Sequence, residues 1–297
     1  MKTVWRKSLY PLLRQIRQTS LLTDFEVRKF IRQKSAYVGV IVILMLTVLV
    51  AVGYYMRRFH KPGEKTYMGR LLEEIMNGPA FSMTALFPAI YFLLPMIIGV
   101  FVASAFAGEF QGGQIRTIVM RPVSRWAIFF SKFICMSLYG YLLLAILLLV
   151  TYVGGGLMFG FSGDLLVLGP AYFGRGSDIF ILNHKEAVYR ILLAYFFAGY
   201  ALVSVTAMFM MFSSIFKKWA LSTVVPLGIY YTSYILGLIP MLYDLKRFLP
   251  TRYMMIWRYA MGHEVMWDRM INDGIYLGIY TIAYLIIGGL VFSSSDV

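Results

Sequence analysis

Charged side chains are scarce in this chain, and cysteine is nearly absent. Only 14% of the 297 residues are Asp, Glu, Lys or Arg, against about 25% in soluble domains, while 60% are apolar. That imbalance points to lipid rather than water as the main surrounding. The lone Cys135 sits in an apolar run, so a disulfide framework and a cysteine zinc site are both excluded. Histidine is limited to His60, His184 and His263, all between apolar runs. His263-Glu264 continues as Val265-Met266-Trp267, so it is not an H-E-x-x-H zinc helix, and His184 has no cysteine pair beside it. No G-x-x-x-x-G-K-[ST] phosphate loop and no G-x-S-x-G elbow occurs. The chain is therefore expected to be no enzyme, with no catalytic, cofactor-binding or metal-ligating residue.

Long uncharged runs are what it has instead. Six are long enough to span a bilayer, at 36–56, 85–107, 133–161, 191–216, 221–242 and 274–292. None contains Asp, Glu, Lys, Arg or His. Proton relays, ion-coupled carriers and intramembrane aspartyl proteases rely on an ionisable group at membrane depth. Energy for any transport must then come from a partner. The first run begins after more than thirty polar and basic residues and lacks a small-residue cleavage site, so no secretory signal peptide is expected.

The net charge of +14 raises the question of nucleic acid, and its distribution answers it. With the amino terminus inside, nine Lys/Arg before Ser35 join Arg116, Arg121, Arg125, Lys132, Lys217 and Lys218. These face only Asp24, Glu26, Glu109 and Asp296, whereas the outer segments hold 13 basic residues against ten acids. The basic excess is the orientation signal of a membrane protein, with both termini cytoplasmic, and no nucleic-acid partner is needed to explain it.

Residues 1–34 read as a cytoplasmic amphipathic lead-in, bent at Pro11, with Trp5, Leu9, Leu12 and Ile16 on one face. Thr23-Asp24-Phe25-Glu26 has the form of a capping box that starts a second helix. Residues 35–297 form the membrane domain, with outer loops at 57–84, 162–186 and 244–273. Pro88 and Pro95 predict a kinked or locally unwound second span held inside a bundle. Gly154-Gly155-Gly156 suggests a flexible exit from the third span more than close helix packing. Tyr230-Tyr231-Thr232-Ser233-Tyr234 places hydroxyls within the fifth span, as a pathway or dimer-interface surface or as bonds between packed helices. Trp257 and Trp267 are expected among outer headgroups.

The most specific stretch is 108–125, GEFQGGQIRTIVMRPVSR. Ile115, Ile118 and Val119 recur at helical spacing among polar positions, and Arg121-Pro122 closes that short helix. A new helix is expected from about Ser124. Glu109-Phe110, Gly113, Arg116-Thr117, Arg121-Pro122-Val123-Ser124-Arg125 and Lys132 resemble the loop between the second and third spans of permease subunits in ABC-2 type transporters. The chain departs from that pattern at Gln114, where the family more often has Thr, and at the less charged Gln111-Gly112.

The resemblance implies an all-α membrane protein of six transmembrane helices, with an amphipathic N-terminal helix and a cytoplasmic coupling helix between helices 2 and 3. It implies that Glu109, Gly113, Ile115, Arg116, Ile118, Val119, Arg121, Pro122 and Arg125 couple the chain to an ATPase. Ile115, Ile118 and Val119 would be the apolar face that enters the partner. Arg121 and Arg125 would pair with the partner or with headgroups, or simply mark the inner side. The implied assembly is two permeases, identical or related, above two ABC ATPase subunits that hold ATP and Mg, in a bacterial plasma membrane. Export of an amphipathic, lipid-like, peptide or antibiotic cargo is the expected function. A carrier or channel that works without ATP and a non-transporting anchor or sensor are the other readings.

Overall fold

The computed structural model describes residues 2–60, 77–115, 123–161, 165–168, 179–239 and 245–295, with Met120 and Met241 as single positions. Helix α1, Lys2–Arg32, leads through a short turn into α2, Ala36–His60. A continuous helix α3 runs Gly78–Gln111, and α4 spans Arg125–Phe159. Strands β1, Leu165–Leu168, and β2, Ile179–Leu182, pair antiparallel with Leu165 opposite Leu182. Helices α5, His184–Phe216, and α6, Trp219–Leu238, follow. Short helical turns at Leu245–Phe248, α7 at Pro250–Tyr253 and Met254–Met261 precede α8, Trp267–Ser294.

Six of these helices, α2 to α6 and α8, are long and apolar enough to cross a membrane. In α3 and α5, 67% of the span is buried inside the protein, against 22% in α2 and α8, so the first two form the centre and the others the rim. The rim helices show lipid-facing stripes at helical spacing: Val38, Ile41, Met45, Val48 and Val52 on α2, and Ile271, Ile275, Ile279, Ile282 and Ile286 on α8 are all exposed. The helical membrane class thus holds, with the β1–β2 hairpin as a small addition inside a stretch expected to be loop.

Helix α3 begins earlier than its apolar run. Asn77 caps it by accepting from the amide of Ala80, and Pro79 occupies the first turn, where no donor is needed. Within it the helix widens to π turns at Ala89–Leu93 and Ser104–Gly108. Pro95 lacks the N–H that the Tyr91 carbonyl four residues before it would accept. Tyr230 Oη donates to that carbonyl at 3.3 Å, and Tyr231 Oη donates to the carbonyl of Phe92 at 2.8 Å. Neighbouring protein thereby satisfies the backbone that proline disturbs, which is the condition for such a break in a membrane helix.

Four local expectations are corrected. Helix α1 is continuous through Pro11 and through Thr23, whose hydroxyl donates to Thr19 O within the helix, so no second start is formed there. Glu26 turns to Lys132 instead. Gly155 and Gly156 at the end of α4 serve close packing rather than a flexible exit, while Gly154 faces open space. A Cβ on Gly155 would sit 2.7 Å from Phe81 Cβ and 3.1 Å from Gly78 Cα, and Gly78 N donates to Gly160 O. Trp257 is 0% exposed and packed in the bundle, whereas Trp267 is 46% exposed.

Candidate functional site

The segment 108–115 is held by a buried cluster of charges at the inner end of the bundle. Glu26 and Lys29 lie one turn apart on α1, beside the buried Phe30, so the same face of α1 is both apolar and ionic. Glu109 ends α3, and Lys132 sits two turns into α4. Lys132 Nζ donates to Glu109 Oε2 at 2.7 Å and lies 2.9 Å from Glu26 Oε1, while Lys29 Nζ donates to Glu109 Oε1 at 2.5 Å. The Lys132 side chain is 1% exposed, and those of Glu26 and Glu109 are 10% and 9% exposed. Two carboxylates and two ammoniums cancel, which is how buried ions escape the cost of desolvation. A polar cavity of about 270 Å³ opens beside the network, lined by Glu26, Lys29, Gln33, Ser104, Glu109 and Gln114.

Around these four residues the same end of the bundle is tied further. Phe110 packs edge-on against Phe292 of α8, with ring centroids 5.7 Å apart, and the Lys217 ammonium lies 5.7 Å from its ring centroid. Lys217 closes α5 in the left-handed conformation, φ 52°, making the tight turn to α6. Gln111 Oε1 accepts from Trp219 N at 3.5 Å. Arg125 Nη1 donates to the carbonyls of Ser293 and Ser295 at 2.9 and 2.5 Å, a cation on the negative end of α8. Ser124 caps α4 by accepting from Ala127 N, so this helix starts where the motif implies.

Gly113, at φ +72°, makes the turn that separates the end of α3 from the residues after it. Ile115 is 0% exposed and joins the protein's own core. It therefore does not lie open to a partner, and the proposed docking face loses that member: its side chain is taken up by packing within the chain. Arg116, Ile118, Val119, Arg121 and Pro122 lie outside the described residues. Among the described residues of this segment, Met120 is an open apolar side chain, 80% exposed.

A comparison of the sequence with known families decides what this arrangement belongs to. The profile described as "ABC-2 family transporter protein" matches residues 22–233. The chain belongs to that family. Among curated proteins, one from Bacillus subtilis (strain 168), described as "Uncharacterized protein YhcI", is 38% identical over 65 residues, 22% of this chain and 21% of that relative. The match spans about a fifth of the relative's length. As a member of the ABC-2 family, the chain is a multi-pass membrane permease.

In this ABC-2 permease the hydroxyl run of α6 lies far from the charged end. From Gln111 to Phe92 along α3 is about 28 Å at 1.5 Å per residue. There Tyr230 and Tyr231 bond to α3 as described, Ser233 Oγ and Thr251 Oγ1 are 2.8 Å apart, and the Tyr234 ring lies 5.1 Å from that of Tyr91, tilted by 35°. Thr232 is exposed. Tyr230 and Ser233 also line an apolar cleft of about 230 Å³ with Met208, Met254, Tyr280 and Tyr284. Most of the run is thus spent on helix packing.

Sequence reasoning missed Glu26, Lys29 and Met120. The first two carried a readable signal: an acid and a base three apart on a helix face that also holds Leu22 and Phe30. The pairing of Glu109 with Lys132, 23 positions apart, carries no local signal.

Proposed function

We propose that this permease is driven by a separate ATP-hydrolysing subunit that docks on the end carrying Glu109, Met120 and Arg125. ATP and Mg belong to that partner, and this chain binds neither. Two permeases, copies or close relatives, work above two ATPases. Closure of the ATPases pushes the 108–125 segment, and a cleft between the permeases changes its exposure.

The observation that carries this reading is the four-charge network. It fastens the segment simultaneously to α1, α3 and α4, so force applied there reaches three elements at once instead of deforming a loop. Residues 1–34 then act with residues 35–297 as one body at the coupling end. The positive-inside distribution supports placing that end and both termini in the cytoplasm of a bacterial cell. The uncharged span interiors with Tyr, Thr and Ser favour export of an amphipathic cargo: a lipid, peptide or antibiotic.

Co-expression with candidate ABC ATPase subunits from the same genome tests the reading. The two should co-purify, ATP hydrolysis should require the partner, and a cysteine at Asp268 should label from outside intact cells while one at Ser294 does not. Hydrolysis by the permease alone, or labelling of position 294 from outside, overturns it.

A further inference from the structure

Helices α6 and α8 both pack along α5, and α7 packs on the two of them, so that α7 holds them apart as a wedge. The space left beside the wedge is the cleft of about 230 Å³, with Ser204 and Met208 of α5 as its floor, Tyr230 and Ser233 of α6 on one wall and Tyr280 and Tyr284 of α8 on the other. No charged side chain lines it. Six hydroxyls do, and four of them are met within the protein: Tyr230 donates to Tyr91 O, Tyr280 donates to Phe248 O, and Ser233 and Thr251 bond each other. The hydroxyls of Ser204 and Tyr284 have no hydrogen-bond partner among the described residues. Ser204 is 3% exposed, yet its unpaired oxygen is not closed to a water-sized molecule as those of Ser213 and Ser222 are. It therefore opens on the cleft. A hydroxyl left unmet away from water is costly.

Depth sets what surrounds the cleft. Along the helices Ser204 stands roughly 20 Å from Lys217, Tyr230 roughly 18 Å from Lys218 and Tyr284 roughly 16 Å from Ser295, all counted from the coupling end. These heights fall inside a hydrocarbon layer about 30 Å thick. Ile229 and Phe248, which border the cleft, are apolar and 45% and 72% exposed. The cleft thus opens sideways on lipid tails, and an occupant reaches it through the bilayer. An apolar cavity of about 150 Å³ holds benzene, so one of about 230 Å³ holds a chain of roughly eight carbons. A bare hydrocarbon would leave Ser204 and Tyr284 unmet, and a charged group would find no counter-ion. We infer that the cleft is a binding site for a neutral amphiphile, a hydrocarbon chain with one uncharged oxygen group that hydrogen-bonds Ser204 and Tyr284. Met208 and Met254 supply an adaptable apolar wall. The site lies within one chain and does not depend on that chain being driven by an ATPase.

The test irradiates a diazirine analogue of 1-octanol with the purified full chain in detergent, and mass spectrometry locates and titrates the label. Labelling should concentrate on cleft residues such as Met208 and Met254, saturate, and be displaced by unmodified 1-octanol. Ser204→Ala and Tyr284→Phe should each weaken binding about fivefold, the scale of one hydrogen bond. Neither should lower the ligand-free thermal midpoint, because neither hydroxyl has a partner in the fold. Ile229→Trp, which narrows the mouth from an exposed position, should weaken binding at least about tenfold by keeping the chain out of the apolar wall. Label that does not saturate and spreads over the lipid-facing Ile275 and Ile279 reports partition into detergent only and overturns the site. Unchanged binding in both hydroxyl variants, with loss in Ile229→Trp, assigns the cleft to a bare acyl chain and overturns the oxygen group. Label on monomers but not on dimers of the same preparation assigns the cleft to a second copy of the chain and overturns the ligand.

Discussion

Lys132 Nζ sits 2.7 Å from Glu109, the acid of the GEF motif, with 1% of the lysine side chain exposed. Lys132→Met would leave Glu26 and Glu109 facing each other with one ammonium between them. Breaking a buried pair in this way costs about 3–5 kcal/mol. The thermal midpoint in detergent should fall clearly, and adding Glu26→Gln should recover part of the loss by removing the stranded carboxylate. An unchanged midpoint for Lys132→Met alone would show that the network does not hold this end together.

Arg125 caps α8 rather than projecting freely. Arg125→Gln should release the last turn of that helix, with a loss of about 1.5–3 kcal/mol for bonds from a charged donor. Amide hydrogen exchange over 290–295 should accelerate while exchange in α5 stays as before. Equal protection in both proteins would mean that the cap contributes nothing.

Tyr231→Phe removes the donor to the Phe92 carbonyl within the π turn of α3. The expected loss is about 1 kcal/mol, the net worth of one hydrogen bond, read as a lower thermal midpoint. Transport should fall only in proportion to the amount of folded protein, since the hydroxyl serves packing. A large loss of transport at an unchanged midpoint would return Tyr231 to the pathway.

The parts of the fold legible in the sequence are those set by composition over many residues. Six spans could be read from their runs, and the disturbed stretch of α3 between Pro88 and Pro95, which the helix meets with a π turn, from the prolines, because lipid and a missing N–H act locally. Contacts between distant elements were not legible. The burial of Ile115, the coverage of Trp257 and the turn of Glu26 from Thr23 to Lys132 each depend on a neighbour that no local pattern announces. Gly155 and Gly156 were misread for the same reason: a gap left for a crossing helix and a flexible stretch share one composition. The GEF and RPVSR residues pointed to the candidate site as a place, while the partners that anchor Glu109 and Lys132 came from α1.

The central claim is that an ATPase docks on the 108–125 segment, and Met120 is the side chain that tests it most directly. At 80% exposure it contributes little to the fold, whereas burying it under a partner is worth about 1.5–3 kcal/mol. The measurement is the dissociation constant between the purified permease and its ATPase, for the unmodified chain and for Met120→Asp. The account predicts binding at least about tenfold weaker with the same thermal midpoint for the permease alone. Equal affinity for both would contradict it.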